Sequence, residues 1–200
     1  LFMRVFVIVL VLIFSLQSWT KADDIRDFEI EGMSIGDSLL DFYSESEIKK
    51  SLKSDVTYFY KNNKFADIFF ESNGIYQWLQ ISIKPKDKKY KIYAMNGQIH
   101  YKKNIKDCYK KKDEIVKDIA ATFSDEIKVQ DNGKSKHRAD KTGKSTYTSY
   151  AFFPGYPKDD LSNISIQCFD WSEKLPYADK LIVSFKSKEF ANFILNEAYK

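Results

Sequence analysis

Histidine, arginine, cysteine and proline are all scarce in this 200-residue chain, and each scarcity closes off a class of function. The two histidines, His100 and His137, and the two cysteines, Cys108 and Cys168, cannot assemble a structural zinc set, and no other cofactor is implied. Of 32 basic residues only Arg4, Arg26 and Arg138 are arginine. Phosphate and base readout favour arginine's bidentate fork, so the lysines are not read as a nucleic-acid surface. Four prolines, seven glycines and no repeat or low-complexity linker leave little room for disorder. What is abundant points the same way: 44% hydrophobic and 16% aromatic residues suit a sheet-rich globule, and the formal charge is only +4.

The first 22 residues have the pattern of a cleavable signal peptide. Met3-Arg4 is a basic start, Val5 to Leu16 is apolar but for Ser15, and Thr20 and Ala22 supply small residues before a cleavage point. Asp23 would be the first mature residue. The alternative is an uncleaved anchor, but a run of about a dozen residues falls short of the ~20 that span a bilayer. No cysteine follows the run, so a lipoprotein anchor is excluded. The expectation is a periplasmic or secreted protein, not integral to a membrane after cleavage. Export into an oxidising compartment makes a Cys108–Cys168 disulfide the favoured reading, with two separately buried thiols as the rival. Such a bridge closes about 60 residues and would contribute roughly 4 kcal/mol in the chain-entropy model.

Along 23–200 the pattern predicts one α+β domain, with a subdivision near residue 104 as the alternative. Leu39, Leu40 and Tyr43 suggest a short helical piece, and Ser44-x-x-Glu47 is a capping box for a helix from about Glu45 to Leu52. "VTYFYK", "KFADIFFE" and "IYQWLQISIK" read as strands. In the last, Ile75, Leu79, Ile81 and Ile83 share one face, and Tyr76, Trp78, Gln80 and Ser82 the other. Asn96-Gly97 predicts a hairpin between "KYKIYAM" and "QIHYKK". A long helix with Asn104 as its cap follows, with Ile105, Cys108, Tyr109, Ile115, Val116, Ile119, Ala120 and Phe123 on its apolar side. "EIKVQ" is a short strand, 131–145 a polar loop, and "TYTSYAFF" a strand ended by Pro154-Gly155. "NISIQCFDW" and "KLIVSF" complete the strands, and a helix capped by Ser187 buries Phe190, Phe193, Ile194 and Ala198. Strands in runs, not alternating with helices, imply an antiparallel β-meander with short N-terminal helices, one long central helix and a C-terminal helix.

Four features invite chemistry. "GDSL", Gly36 to Leu39, is the signature of the GDSL esterases, whose serine nucleophile would be Ser38. Neither histidine has an aspartate three residues before it, no Gly-x-Asn-Asp block exists, and "EGMSI" is too polar for a central strand. Asp37-Ser38 is read instead as a helix start ahead of an inward-turning Leu39-Leu40. "DNGKSKHRADKTGKST" repeats Gly-Lys-Ser at Gly133 and Gly143, yet Lys128 and Arg138 stand where a P-loop needs its first glycine. Its lysines and arginine (Lys134, Lys136, Arg138, Lys141, Lys144) are either a solvated loop or an anion contact. Twelve lysines between Lys84 and Lys117 mark an edge and a wet helix face, or else a patch for anionic lipid. The face carrying Tyr76 and Trp78 is read as covered by a second layer, with an exposed aromatic groove or partner surface as the alternative. In "CFDWS" (Cys168 to Ser172), Asp170 is read as a buried structural aspartate.

The segments "DFEIEGMSIGDSLLDFYSESEIKK", "DKTGKS" and "CFDWS" resemble exported proteins of AT-rich marine alphaproteobacteria, to which no activity is assigned; the Lys, Ile, Asn, Tyr and Phe content agrees with that codon bias. "IEGMSIGDSLLD" is also similar to openings of small envelope modules with a β-lactamase-inhibitor-like fold. The resemblance implies a compartment and no site. The expected function is a non-enzymatic binding or assembly module of the envelope, with an envelope protein or anionic envelope surface as partner. The alternatives are an exported GDSL-type hydrolase using Ser38 and peripheral attachment to anionic membrane through the lysines.

Overall fold

The computed structural model describes residues 24–138, 140–154 and 160–199. The leader read at 1–22, the mature start at Asp23 and Gly155 of the Pro154-Gly155 turn lie outside them.

Eight strands form one antiparallel sheet: β1 (Tyr58–Phe59), β2 (Ala66–Glu71), β3 (Trp78–Ile83), β4 (Ile92–Lys102), β5 (Ile127–Lys136), β6 (Thr146–Pro154), β7 (Asn163–Asp170) and β8 (Asp179–Lys186). Their order is β1-β2-β3-β4-β8-β7-β6-β5. Two four-stranded meanders therefore run inward from opposite edges and meet where β4 pairs with β8. Each meander is preceded by a helix, α1 (Glu45–Leu52) or α2 (Ile105–Thr122), and α3 (Lys188–Asn196) ends the chain. The α+β class with an antiparallel meander is thus the observed one.

Two of the three expected helix caps are formed. Ser44 and Glu47 form the reciprocal capping box that starts α1. Ser187 accepts a hydrogen bond from Phe190 N at 3.2 Å to start α3. Asn104 precedes α2 without capping it; its side chain donates instead to Asp107 at 2.5 Å.

One face of the sheet is thoroughly covered. Leu79, Ile81, Ile83, Ile164, Ile166, Leu181, Val183 and Phe185 point toward α2 and the N-terminal segment, where Ile25, Ile30, Met33 and Leu39 are buried. The Cys108–Cys168 disulfide ties α2 to β7 on this face, with Cα atoms 6.0 Å apart. Strands of both meanders share this core cluster. On the opposite face α3 covers one end only, packing Phe190 and Phe193 on Phe65, Tyr93 and Ala94.

Several expectations need correction. Asn96-Gly97 is not a hairpin: β4 runs straight through it. The glycine serves packing, because a Cβ there would lie 2.5 Å from the Tyr76 ring, and Asn96 accepts from Ser184 Oγ on β8. Residues 131–136 of the expected 131–145 loop belong to β5, which absorbs Asn132-Gly133 as a bulge with Gly133 at φ +62°. Leu40 and Ala120 face outward, and Ile75 is exposed ahead of β3. On α2 Lys112 is buried along with Cys108 and Ile119, its ammonium 4.7 Å from the Tyr150 ring.

Candidate functional site

Strand alternation sends the even-numbered residues of β8, Lys180, Ile182, Ser184 and Lys186, to the face opposite the main core. Register places Gln98 beside Ile182, His100 beside Lys180, and Trp78 beside Gln98 on that same face. Beyond the end of α3 this surface is left uncovered and hollows into a cavity of about 600 Å³.

Two lining residues, Lys180 and Gln98, begin an ordered polar row that runs on beyond the cavity. Lys180 Nζ donates to Gln98 Oε1 at 3.3 Å, Gln98 Nε2 to Gln80 Oε1 at 3.4 Å, and Gln80 Nε2 to Asp67 Oδ2 at 2.7 Å. Every donor in this row points the same way, from the cation on β8 across β4 and β3 to the carboxylate on β2. A charge at each end sets the orientation of both amides, since Gln98 must accept from an ammonium and Gln80 must donate to a carboxylate. Asp67 also accepts from Tyr60 OH at 2.9 Å and from Ser82 Oγ at 2.5 Å. Burial nevertheless holds its carboxyl above the usual Asp range, with those hydrogen bonds pulling against it.

Aromatic rings form the walls. Trp78 comes from β3, and Trp171 and Tyr177 from the segment between β7 and β8, their ring centroids 4.7 Å apart. Trp171 N donates to the carboxylate of Asp179 at 2.9 Å, which closes that segment at its base and sets the indole over the sheet. Behind Trp171, Phe169 stacks on it and His137 packs against it at 4.4 Å.

The electrostatics are one-sided. Among the described residues lining the cavity there is no Asp or Glu. Burial alone lowers the Lys180 amine below its ordinary value, with no opposing pull from a carboxylate. Burial, then the charge of Lys180, lowers His100, so its imidazole is neutral near neutral pH. His137 is lowered too, chiefly by burial, with Asp140 pulling the other way. Lys180 is therefore the cavity's single positive charge. Such a lining can hold and orient a ligand. Among the described residues no metal-ligating group of three or more His, Cys, Asp or Glu is assembled.

The residues singled out from sequence have varied fates. Ser38 stands at the start of the 3-10 turn Leu39–Asp41, accepting from Leu40 N at 3.3 Å and donating to the Lys89 carbonyl at 2.8 Å; neither histidine is its partner. Tyr76 and Trp78 separate: Tyr76 turns into the main core over Gly97, where burial and Glu31 push its hydroxyl up to about 12, and Trp78 faces the cavity. Lys134 and Lys136 stand on β5 in register with Thr148 and Thr146, the disulfide face, and Lys134 lies 3.7 Å from Asp170. Arg138, Lys141 and Lys144 lie in the turn before β6, all exposed. That turn is closed by Asp140, which accepts from Thr142 N and from Ser145 N, both at 2.8 Å; with the Ser145 hydroxyl these bonds hold its carboxyl well below the usual range. Ser145 Oγ also accepts from Ser172 N at 3.0 Å, so "DKTGKS" and "CFDWS" touch.

Two further readings change. Asp170 is only half-buried, and the buried carboxylates among the described residues are Asp67, Asp140 and Asp179. The twelve lysines are divided between surfaces: Lys84 lies over Tyr93 and pairs with Glu189 at 2.7 Å, whereas Lys112 is buried under α2. The sequence reading missed Lys180, Gln98 and Gln80 as a set. The alternation of "DKLIVSFK" held the only signal for Lys180, as a charge standing in phase with Ile182 and Ser184. Compared with family models, curated proteins and solved structures, the chain matches none.

Proposed function

We propose that the protein is a non-enzymatic binding module of the cell envelope that takes its ligand on the uncovered face of the sheet. The observation supporting this most directly is the cavity of about 600 Å³, walled by Trp78, Trp171 and Tyr177 over a polar floor. A volume in the range of roughly 300–1,000 Å³, mostly apolar walls and a few convergent polar groups are the usual attributes of a small-molecule site. Export rests on the leader pattern and agrees with the disulfide.

The neutral apolar dye Nile red tests the surface. Its emission should rise with the native protein and fall back when Trp171 and Tyr177 are both replaced by Ala. Emission that is unchanged by those substitutions, in protein that still unfolds cooperatively, sinks the reading. Export is checked separately by N-terminal sequencing of the protein from an envelope fraction: a start at Asp23 is expected, and an intact leader on cytosolic protein would contradict it.

A further inference from the structure

We infer that the cavity on the open face is a site for a small organic monoanion, a carboxylate attached to an aromatic body, with the carboxylate on Lys180 and the ring against Trp78, Trp171 and Tyr177. The inference rests on the reading of this face as a binding surface and goes further by naming the ligand's charge and shape.

The charge follows from what surrounds Lys180. Its ammonium has three N–H donors, and its one hydrogen bond among the described residues is to a neutral amide, Gln98 Oε1. The nearest carboxylate in the hydrogen-bonded row, Asp67, is two amides away and already takes Tyr60, Gln80 and Ser82. A half-buried cation without an adjacent counter-charge is costly to keep, and an anion placed against it would offset that cost. The row of amides also holds the ammonium in place, so little side-chain entropy is lost on binding.

The number of charges follows from the rest of the lining. A phosphate or other dianion is usually met by arginine forks, several lysines or a helix N-terminus. Here there is one lysine, the neighbouring imidazole is neutral, and no helix start lines the cavity. A neutral sugar could accept hydrogen bonds from the ammonium but would leave it without a counter-charge. The aromatic body follows from the walls, because two indoles and a phenol offer flat faces that favour stacking over loose aliphatic contact. A protein partner burying a standard patch would instead need about 800 Å² of complementary surface on each side.

Calorimetric titration of the purified protein with 2-naphthoate and its neutral isostere 2-naphthamide decides the matter. Naphthoate should bind at least about tenfold more tightly, equivalent to 1.4 kcal/mol. Lys180→Met and Lys180→Gln should each bring the two affinities together without abolishing amide binding, and Gln98→Leu should narrow the gap while the charge remains. Trp171→Ala should weaken both compounds alike. Equal affinities in the wild type would overturn the anion assignment yet leave the binding surface standing. A naphthoate preference that persists in both folded Lys180 variants would overturn it as well. Binding of neither compound would overturn both this inference and the reading beneath it.

Discussion

On β8 the two faces of the sheet can be compared one residue apart. Leu181, Val183 and Phe185 are fully buried against α2 and the N-terminal segment, with the disulfide close by on β7. Lys180 and Ile182, on the same strand and out of phase by one, remain half-buried on a surface that α3 covers at one end only. Nine helical residues span about 13 Å, while eight strands extend across roughly 34 Å, so α3 cannot roof its face. The comparison teaches a division of labour: stability is concentrated where burial and the cross-link coincide, and the open side is left free to hold polar and charged groups that a core would exclude.

The sharpest way to break this comparison is substitution on both faces of β8. Phe185→Ala should cost about 3–5 kcal/mol and Ile182→Ala no more than about 1 kcal/mol. Urea unfolding would report the two directly, and equal losses would refute the asymmetry. Replacing Cys108 and Cys168 together by Ser should remove roughly 4 kcal/mol, or about 10 °C in Tm for a chain of this length. Thiol labelling of the unfolded, unreduced wild type should find no free cysteine.

The open face makes a subtler prediction through Asp67. Burial raises its folded pKa, so the native state holds this proton more tightly than the unfolded chain does. That contribution is fully present below the ordinary Asp value of ~3.9 and is lost as pH rises through the raised folded value. Between about pH 4 and pH 7 the wild type should therefore lose stability relative to Asp67→Asn, as read from urea midpoints. A parallel pair of curves would show that Asp67 is not perturbed. The smallest effect is expected at Lys180, whose amine is depressed by burial. Lys180→Met should raise stability by about 0.5–1 kcal/mol while removing the preference for an anion. A destabilised variant would mean that Lys180 serves the fold and not a ligand.

Much of the fold was legible in the sequence because its signals are local. The Ser44–Glu47 box, the Ser187 cap, the alternation of "KLIVSF" and the inward positions of Cys108 and Cys168 depend on neighbours within a turn or a strand. The failures share a different cause. Asn96-Gly97 has the chemistry of a turn, but the pairing of β4 with β3 on one side and β8 on the other holds it extended, and Tyr76 occupies the space a Cβ would need. Ala120 and Lys112 exchange roles because an aromatic neighbour on β6 shelters the ammonium. Tyr76 precedes β3, so strand phase does not apply to it, and it leaves Trp78 for the core.

The candidate site was the least legible part. Its walls and floor come from β3, β4, β8 and the segment before β8, brought together by the β4–β8 pairing across some 80 residues of chain. Local periodicity decided which residues would be buried, since apolar alternation needs only a covering layer somewhere. Which face would stay open, and that Lys180, Gln98, Trp78 and Trp171 would meet there, was decided by long-range strand pairing and by the shortness of α3, because neither leaves a trace in neighbouring residues.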